Sequence, residues 1–237
     1  MIKKCIIIPA FNEEKNISNV ISSIKKYCED DIVVIDDGSK DMTKQKAKEA
    51  DAIVISHPFN MGYGVALQTG YKYAIENQYD FLVQIDGDGQ HDPYYIPILF
   101  SEVQSSACDI SIGSRFLNSP YDPGILKKIA IQLFRNIVWI TNRQKITDPT
   151  SGYQCLNKKI FKFFTEDIFP CDYPDANIIV LLHRKGFKIK EIPVKMTPNT
   201  EGRSMHKGIF KILYYFFKVF LSIFIALISE KNIVKIK

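Results

Sequence analysis

Short apolar runs alternate with helix-like segments along the first part of the chain. Runs of strand length, bounded by polar turn residues as buried strands usually are, occupy residues 4–8, 31–35, 52–56 and 81–85. The segments between them are predicted helices over residues 15–26, 42–50 and 65–76. In the first helix, Ile17, Val20, Ile21 and Ile24 recur at helical spacing. This alternation predicts an α/β fold with a mostly parallel sheet and helices on both faces.

In the later part of the chain, predicted strands and helices alternate less regularly. We predict a strand over 109–113 with a turn that places Arg115 beside the sheet edge, then a helix over 124–141 and a loop over 147–153. A helix over 178–184 and a strand over 188–195 complete the globular part. Three acidic or glycine-rich clusters, which follow predicted strands, should project from one edge of the sheet, and that is how open α/β sheets build binding sites.

The C-terminal segment is nearly all apolar between residues 209 and 228. A helix of 20 residues would span about 30 Å, the thickness of a bilayer core, but Lys218 near its middle would cost about 2.5 to 3.5 kcal/mol there. One polar stripe is formed by Lys207, Lys211, Tyr214, Lys218 and Ser222. The pattern predicts an amphipathic helix in the headgroup plane with its lysines toward anionic lipid. A helix packed against the globular domain or within a homo-oligomer is the alternative.

Composition and charge narrow the class of protein. With 237 residues, 46% hydrophobic and 24% charged, the chain can bury one generous core, and disorder is not expected. The net charge of +5 is mild, and basic and aromatic residues do not interleave as in a nucleic-acid groove, so no nucleic-acid partner is predicted. Five cysteines are scattered without a paired spacing, and no signal-peptide pattern is evident at the N-terminus. These features favour a reducing cytosol.

Two carboxylates interleaved with glycines end the apolar run over residues 81–85: Asp86 and Asp88. A calcium loop fails here, because His91 replaces the required glycine and Pro97 the required glutamate. A plain polar turn is a second interpretation. The third is a site for Mg²⁺ or Mn²⁺, in which carboxylate oxygens hold the cation and substrate phosphates complete its shell.

Two common phosphate-binding motifs are absent from the sequence. The dinucleotide fingerprint requires three glycines at the first strand-to-helix turn, whereas Gly62 and Gly64 follow a later strand and Leu67 occupies the third position. No P-loop pattern occurs either. The residues instead indicate a nucleotide site built from acids. Asp36 and Asp37 suit a base or ribose, unless one of them only caps the next helix, and Asp86 and Asp88 suit a cation that bridges a departing diphosphate.

With these residues, the chain resembles family 2 glycosyltransferases of the GT-A fold, in the branch of dolichol-phosphate and polyprenyl-phosphate sugar transferases. The resemblance covers about residues 4 to 205 and rests on the order of several short motifs. These motifs lie at residues 8–14, 34–39, 60–66, 86–91, 113–116, 148–153 and 191–194.

The resemblance implies inverting transfer from a nucleotide-diphosphate sugar, linked to UDP or GDP. It assigns nucleotide-sugar binding to Pro9, Phe11, Glu13, Asp36, Asp37, Asn60, Gly62, Asp86, Gly87 and Arg203. The divalent ion would be held by Asp86, Asp88 and Gln90. Arg115 matches the position that contacts the acceptor phosphate, a task that suits a guanidinium fork, although a structural salt bridge is the alternative.

Asp148 and Asp175 are the predicted catalytic carboxylates beside Asp88 and Arg115. A phosphate acceptor is already anionic and needs no strong base, whereas a hydroxyl acceptor must lose a proton to one of them. We favour Asp148, which lies in a matched motif; a turn or helix-capping role is its alternative. One departure from the family pattern is Asn199 at a position usually held by arginine. Contact of Arg203 or His206 with the diphosphate is one interpretation, and weaker donor binding or an altered loop is the alternative.

The sequence thus predicts a metal-dependent glycosyltransferase that moves a sugar to a polyprenyl phosphate in cell-envelope glycan or glycoconjugate synthesis. Alternatives are transfer to a glycan hydroxyl in polysaccharide assembly, a sugar-phosphate nucleotidylyltransferase, and a binding module without catalysis. We expect a catalytic domain over residues 1–205 and a membrane-interfacial segment over 206–237. The expected location is peripheral, on the cytosolic face of the membrane.

Overall fold

A computed structural model describes residues 2–117, 121–122, 124–167, 169–170, 172–197 and 209–228. For residues 125–127 and 209–213 it describes the backbone alone. Several sequence predictions lie outside these residues: the diphosphate contacts Arg203 and His206, the departure at Asn199 and the domain boundary after residue 205.

The first half of the chain forms the predicted alternation of parallel strands and helices. Its elements are β1 (Lys4–Ala10), α1 (Ile17–Ile24), β2 (Asp31–Asp36), α2 (Thr43–Glu49), β3 (Ile53–Ser56), α3 (Tyr63–Glu76) and β4 (Phe81–Gln84). The boundaries lie within about two residues of those predicted, since each apolar run is bounded by polar or turn-forming residues.

The second half contains more elements than the sequence predicted. They are a short 3₁₀ helix (Pro93–Tyr95), α4 (Ile96–Gln104), β5 (Ile110–Ser114), α5 (Ile125–Asn142), β6 (Gln154–Asn157), α6 (Lys158–Phe163), α7 (Ala176–Arg184), β7 (Ile189–Pro193) and α8 (Ile209–Ile228). The prediction omitted α4, β6 and α6. The strand β6 and the helix α6 are four and six residues long, too short for periodicity to identify.

Seven strands form one sheet in the order β3-β2-β1-β4-β6-β5-β7. All pairs are parallel except those of β6, which runs antiparallel to both β4 and β5. The sheet is therefore mixed but mostly parallel, as predicted. In the centre, β1 pairs Ala10 with Asp36 of β2 and Ile7 with Gln84 of β4. The acids that follow β2 and β4 thus flank the carboxyl end of β1.

Helices cover both faces of the sheet and create two apolar layers. Along β1, Cys5 and Ile7 face one layer, while Ile6 and Ile8 face the other. The first layer receives α3, α5, α6, α7 and α8, and the second receives α1, α2 and α4. A strand buried on both faces needs an uninterrupted apolar run. The parallel strands of the first half could therefore be predicted from the sequence.

The C-terminal helix α8 has the predicted bounds but packs against α7 instead of standing apart. Its buried residues are Tyr215, Val219, Ile223 and Ala226. Two members of the predicted polar stripe have polar partners within the protein, while the predicted contact of its lysines with lipid stays a prediction. The Lys218 ammonium lies 2.7 Å from Asp172 Oδ2, and the Ser222 hydroxyl accepts a 2.9 Å hydrogen bond from Asn177, because these groups satisfy polar partners at the start of α7.

Exposed apolar side chains line the other side of α8. They are Phe217, Phe220, Leu221, Phe224, Ile225, Leu227 and Ile228. Exposed residues of the neighbouring α5 include Ile129, Leu133, Trp139 and Ile140. Among the residues that the structure describes, no helix has the length and apolar character needed to cross a membrane.

Candidate functional site

The turn after β4 brings the first pair of acids to the carboxyl edge of the sheet. Its Gly87 lies against the end of β1, where a Cβ atom would sit 3.4 Å from the Pro9 carbonyl oxygen. Gly89 has a φ of +76°, a conformation that glycine adopts without strain. This close approach places Asp86 and Asp88 beside β1, as the sequence predicted.

Asp86 is held by two side chains that the sequence analysis did not select. The Tyr63 hydroxyl, at the start of α3, donates a 2.9 Å hydrogen bond to Oδ1, and His91 Nε2 lies 3.2 Å from Oδ2. Burial opposes ionisation of Asp86, but the contact with His91, followed by the Tyr63 hydrogen bond, outweighs it and holds the Asp86 pKa below its usual value. Gly152 completes this corner, since a Cβ there would lie 2.8 Å from the Tyr63 hydroxyl.

Asp88 has the opposite electrostatic balance. Burial, and then the neighbouring charge of Asp86, raise the pKa of Asp88. Its oxygens accept hydrogen bonds from Gln90, one from the backbone N–H at 3.0 Å and one from the side-chain amide. The three predicted metal ligands are therefore neighbours, and the two carboxylates repel each other when both are charged.

The second acidic pair, after β2, is almost fully buried. Asp37 accepts hydrogen bonds from the backbone N–H groups of Met61 (2.8 Å) and Gly62 (2.9 Å), and His57 Nδ1 lies 2.7 Å away. Asp36 accepts one from the Ser39 N–H at 3.1 Å. Asp37 thus holds the loop that leads into α3, and most of its hydrogen-bonding capacity is used within the protein.

The other residues predicted for the nucleotide surround this edge. Pro9 is buried at the end of β1, and Phe11 just beyond it is 43% exposed. The Glu13 carboxylate accepts a 2.9 Å hydrogen bond from Asn16 at the start of α1. Asn60 is exposed on the loop that Asp37 holds. An exposed ring and an exposed amide beside buried acids can contact a planar base and a sugar.

Arg115 and Asp148 form a buried two-point ion pair. The Arg115 Nε and Nη2 atoms each donate a 2.6 Å hydrogen bond to a different oxygen of Asp148. Asp148 is fully buried and also accepts a 3.1 Å hydrogen bond from the Arg115 backbone N–H. Both predicted residues are therefore adjacent, and the structural salt bridge foreseen for Arg115 is present.

A third acid, Glu191 of β7, holds the loop that carries Asp148. Its carboxylate accepts hydrogen bonds from the backbone N–H groups of Thr147 (2.7 Å) and Asp148 (2.8 Å), and one from the Thr147 hydroxyl (2.9 Å). The sequence analysis quoted Glu191 in a motif without giving it a role. Its function in the structure is to fix the loop against the sheet.

Asp175 precedes α7 and lies in the same electrostatic environment. Burial raises its pKa to about 6, opposed by a hydrogen bond from the Tyr215 hydroxyl and by the charge of Arg115. The 2.8 Å bond from Tyr215 reaches Asp175 Oδ2. Among the described residues, no hydrogen bond reaches the other oxygen, so Asp175 has a carboxylate oxygen available.

The structure brings the predicted residues that it describes to one sheet edge and adds Tyr63, His57, His91, Glu191 and Tyr215. No apolar periodicity marks these residues, because each acts through one polar atom. A tyrosine or histidine beside a glycine turn was the available signal for Tyr63 and His91. No signal in the sequence connects Tyr215 to Asp175.

The donor set at Asp86, Asp88 and Gln90 suits a hard divalent cation, since Mg²⁺ and Mn²⁺ prefer carboxylate and carbonyl oxygens. Within the described ranges, no group of three or more histidine, cysteine, aspartate or glutamate side chains converges to hold a metal. The mutual repulsion that raises the Asp88 pKa would be relieved by a cation. The residues therefore fit an ion whose shell is completed by a substrate.

Comparisons with known proteins agree with this arrangement. The chain is 32% identical to a UDP-N-acetylglucosamine–dolichyl-phosphate N-acetylglucosaminyltransferase of Methanococcus voltae, over 88% of this chain and 92% of that protein. It is 30% identical to a dolichol-phosphate mannosyltransferase of Pyrococcus furiosus, over 92% of this chain and 63% of that protein.

A similar fold occurs in a glucosyl-3-phosphoglycerate synthase of Mycobacterium tuberculosis, crystallised with Mn²⁺, UDP and its product. That structure has a TM-score of 0.67, 19% identity and coverage of 96% of this chain and 79% of the other. Residues 5–169 match the model of the family described as glycosyl transferase family 2. The chain therefore belongs to glycosyl transferase family 2 and has its GT-A fold.

Proposed function

We propose that this protein transfers a sugar from a nucleotide-diphosphate sugar to a polyprenyl phosphate. The observation that carries the proposal is the guanidinium of Arg115, which is held by buried Asp148 and lies in the electrostatic environment of Asp86. A cation fixed beside an acidic donor site suits an anionic acceptor. The names of the relatives from Methanococcus and Pyrococcus, which act on dolichyl phosphate, support the same acceptor class.

The donor would bind across the carboxyl ends of β1, β2 and β4. Phe11 and Asn60 offer exposed surface for the nucleoside, and Asp86, Asp88 and Gln90 would hold a divalent ion at the diphosphate. When bound, such an ion neutralises the negative charge that develops on the departing diphosphate. Tyr63 and His91 keep Asp86 ionised and oriented for that role.

The acceptor would approach from the Arg115 side. In the described residues, Nη1 of Arg115 donates a hydrogen bond only to the weakly accepting Met196 sulfur, at 4.0 Å, which leaves a donor for an acceptor phosphate oxygen. That anionic oxygen forms the new bond to the anomeric carbon of the sugar while the bond from this carbon to the diphosphate breaks. Because no proton must be removed, Asp148 can remain a fixed partner of Arg115 instead of acting as a base.

The lipid part of the acceptor suits the exposed apolar face of α5 and α8. Phe134 of α5 stacks on Phe216 of α8 with ring centres 5.7 Å apart, so the two helices share one surface. Large exposed apolar patches mark membrane or protein contacts. We propose that this face lies on a membrane, because α8 also contacts Asp175 at the transfer site and a lipid-linked phosphate must reach that site from a bilayer.

The test is a transfer assay with purified protein, a panel of UDP- and GDP-linked sugars and undecaprenyl phosphate. We expect the product to be a sugar linked through phosphate to the lipid. Asp88→Asn should reduce the rate by at least about 100-fold, since it removes charge stabilisation of the leaving group. Lys44→Ala, at an exposed position of α2, is the control. Full activity in the presence of a chelator, or in the Asp88→Asn variant, would refute the role of the metal. The absence of a lipid-linked product with every donor would refute a polyprenyl phosphate as the acceptor.

A glycan hydroxyl is a second candidate acceptor, because Asp175 has an available oxygen and a pKa near 6. Such a carboxylate can accept a proton near neutral pH. The same assay with soluble oligosaccharides separates the two functions. Asp175→Asn should nearly abolish transfer to a hydroxyl, which must lose a proton, but lower transfer to a phosphate only about 10-fold, since there Asp175 orients groups and takes no proton.

A further inference from the structure

Three polar contacts attach α8 to the beginning of α7 and the segment before it. The Lys218 ammonium lies 2.7 Å from Asp172, the Ser222 hydroxyl lies 2.9 Å from Asn177 Nδ2, and the Tyr215 hydroxyl lies 2.8 Å from Asp175. Two of these three contacts anchor the helix. The contact of Tyr215 differs, because its partner Asp175 is one of the carboxylates of the transfer site.

The Tyr215 ring is well fixed, so its hydroxyl has a defined position. It is 9% exposed, and its ring packs edge-on against Tyr173 at 4.9 Å and against Phe134 of α5 at 6.0 Å. A phenol held by rings on two other segments has little freedom to leave its acceptor. The hydrogen bond therefore restrains one of the two Asp175 oxygens.

Charged side chains from three other parts of the site act on Asp175. Arg115 after β5 attracts its negative charge, while Asp86 after β4 and Asp148 before β6 repel it. Tyr63 at the start of α3 is also close enough for its pKa to be raised by Asp175, after larger effects of burial and Asp86. Asp175 thus lies close enough to Asp86 and to Arg115 for both charges to act on its pKa.

We propose that Tyr215 is a positioning residue of the transfer site, which holds the Asp175 carboxylate in place so that packing of α8 on α7 is a condition for full activity. This inference rests on the proposed function for its activity readout. It adds to that function a link between the helix with the exposed apolar face and a carboxylate near the reacting groups.

The test compares Tyr215→Phe with Tyr214→Phe. Both changes remove one hydroxyl from the same helix, but Tyr214 is 49% exposed and makes no contact with Asp175 among the described residues. We expect Tyr215→Phe to lower kcat about 3- to 10-fold, as the loss of one hydrogen bond allows, with the donor KM unchanged. In the wild type this hydrogen bond stabilises the ionised form of Asp175, so its loss should raise the Asp175 pKa. The acidic limb of the pH profile should therefore move to higher pH by about half a unit. Tyr214→Phe should leave both unchanged.

A double-mutant cycle separates positioning from a general loss of structure. If Tyr215 acts through Asp175, then Tyr215→Phe should change kcat less than about 2-fold in an Asp175→Asn background. An equal loss in both backgrounds, or wild-type kcat in Tyr215→Phe, overturns the proposal. If the wild-type protein transfers no sugar, the proposed function fails. The Tm values of the wild type, the two single variants and the double variant then supply the cycle. Additive shifts in Tm would overturn the positioning role, and non-additive shifts would support it.

Discussion

At the residue scale, the acids of the site differ in how many of their oxygens are already hydrogen-bonded within the protein. Asp37 and Asp148 were predicted as ligand-binding or catalytic acids, but Asp37 binds backbone N–H groups and Asp148 binds Arg115. Asp86 and Asp88 face each other's charge, and one oxygen of Asp175 accepts no hydrogen bond from the part of the chain that the structure describes. Residues of one type therefore divide into groups that position others and groups that can meet a substrate.

Removal of one partner of the Arg115–Asp148 pair should destabilise the protein strongly. We expect Arg115→Ala to lower the free energy of unfolding by about 3 kcal/mol, because it leaves a fully buried carboxylate without its cation. Urea unfolding measures the change. Lys25→Ala is the matched control, since its ion pair with Asp51 is exposed and surface pairs contribute little. A change no larger than that of the control would show that the buried pair is not a stabilising unit.

Asp175 should impose a pH dependence on stability. Its folded pKa of about 6 lies above the unfolded value of about 3.9, so the folded state binds the proton more tightly. Its contribution is full below about pH 4 and is lost as pH rises through about 6. Because Asp175 is partly exposed, we expect a loss of about 1 to 2 kcal/mol.

Asp175→Asn should remove this component of the pH dependence. Relative to wild type, its free energy of unfolding should therefore rise between pH 4 and pH 7, as measured by urea unfolding at several pH values. Asp51→Asn, at an exposed position, is the control. Parallel stability curves for wild type and Asp175→Asn would contradict the raised pKa.

At the element scale, length and packing decided which features were predictable. Strands β1, β2 and β4 are buried runs, and each was found from its apolar residues. The four-residue β6 was missed, although its antiparallel pairing with β4 and β5 joins the two halves of the sheet. The helix α8 was found with its correct bounds, but its orientation depends on partners in α7 that periodicity does not reveal.

The apolar face of α8 should bind lipid. Phe217 and Phe224 are 62% and 59% exposed, and burying a phenylalanine side chain is worth about 1.5 to 3 kcal/mol. We expect Phe217→Ser with Phe224→Ser to weaken binding to vesicles of phosphatidylcholine and phosphatidylglycerol by at least about 10-fold in a flotation assay.

A matched control for lipid binding is Phe59→Ser, which alters a 64% exposed ring on a loop near β3. It should leave vesicle binding unchanged. If the wild-type protein does not bind vesicles but is a dimer by light scattering, the apolar face of α8 instead contacts a second copy of the chain. Unchanged binding by the double α8 variant would exclude this face as the lipid contact.

At the scale of the whole molecule, the mixed sheet brings two chemical ends together. The parallel half delivers the acids of β2 and β4 around β1, as an open α/β sheet should. The half containing β5, β6 and β7 delivers Arg115, Asp148 and Glu191, and α7 with α8 adds Asp175 and Tyr215. One edge thus combines the proposed donor site, the cation proposed to bind the acceptor and a helix with an apolar face.

The sequence by itself determined the elements of the first half, the positions of the acids at strand ends and the extent of α8. Apolar periodicity and strand-end chemistry are local properties, so they can be read from neighbouring residues. Only the tertiary structure decided that Asp148 is paired with Arg115, 33 residues earlier, and that Asp175 is bound by Tyr215, 40 residues later. Such pairs depend on the order of strands and the packing of helices, which bring together single polar atoms that carry no periodic signal.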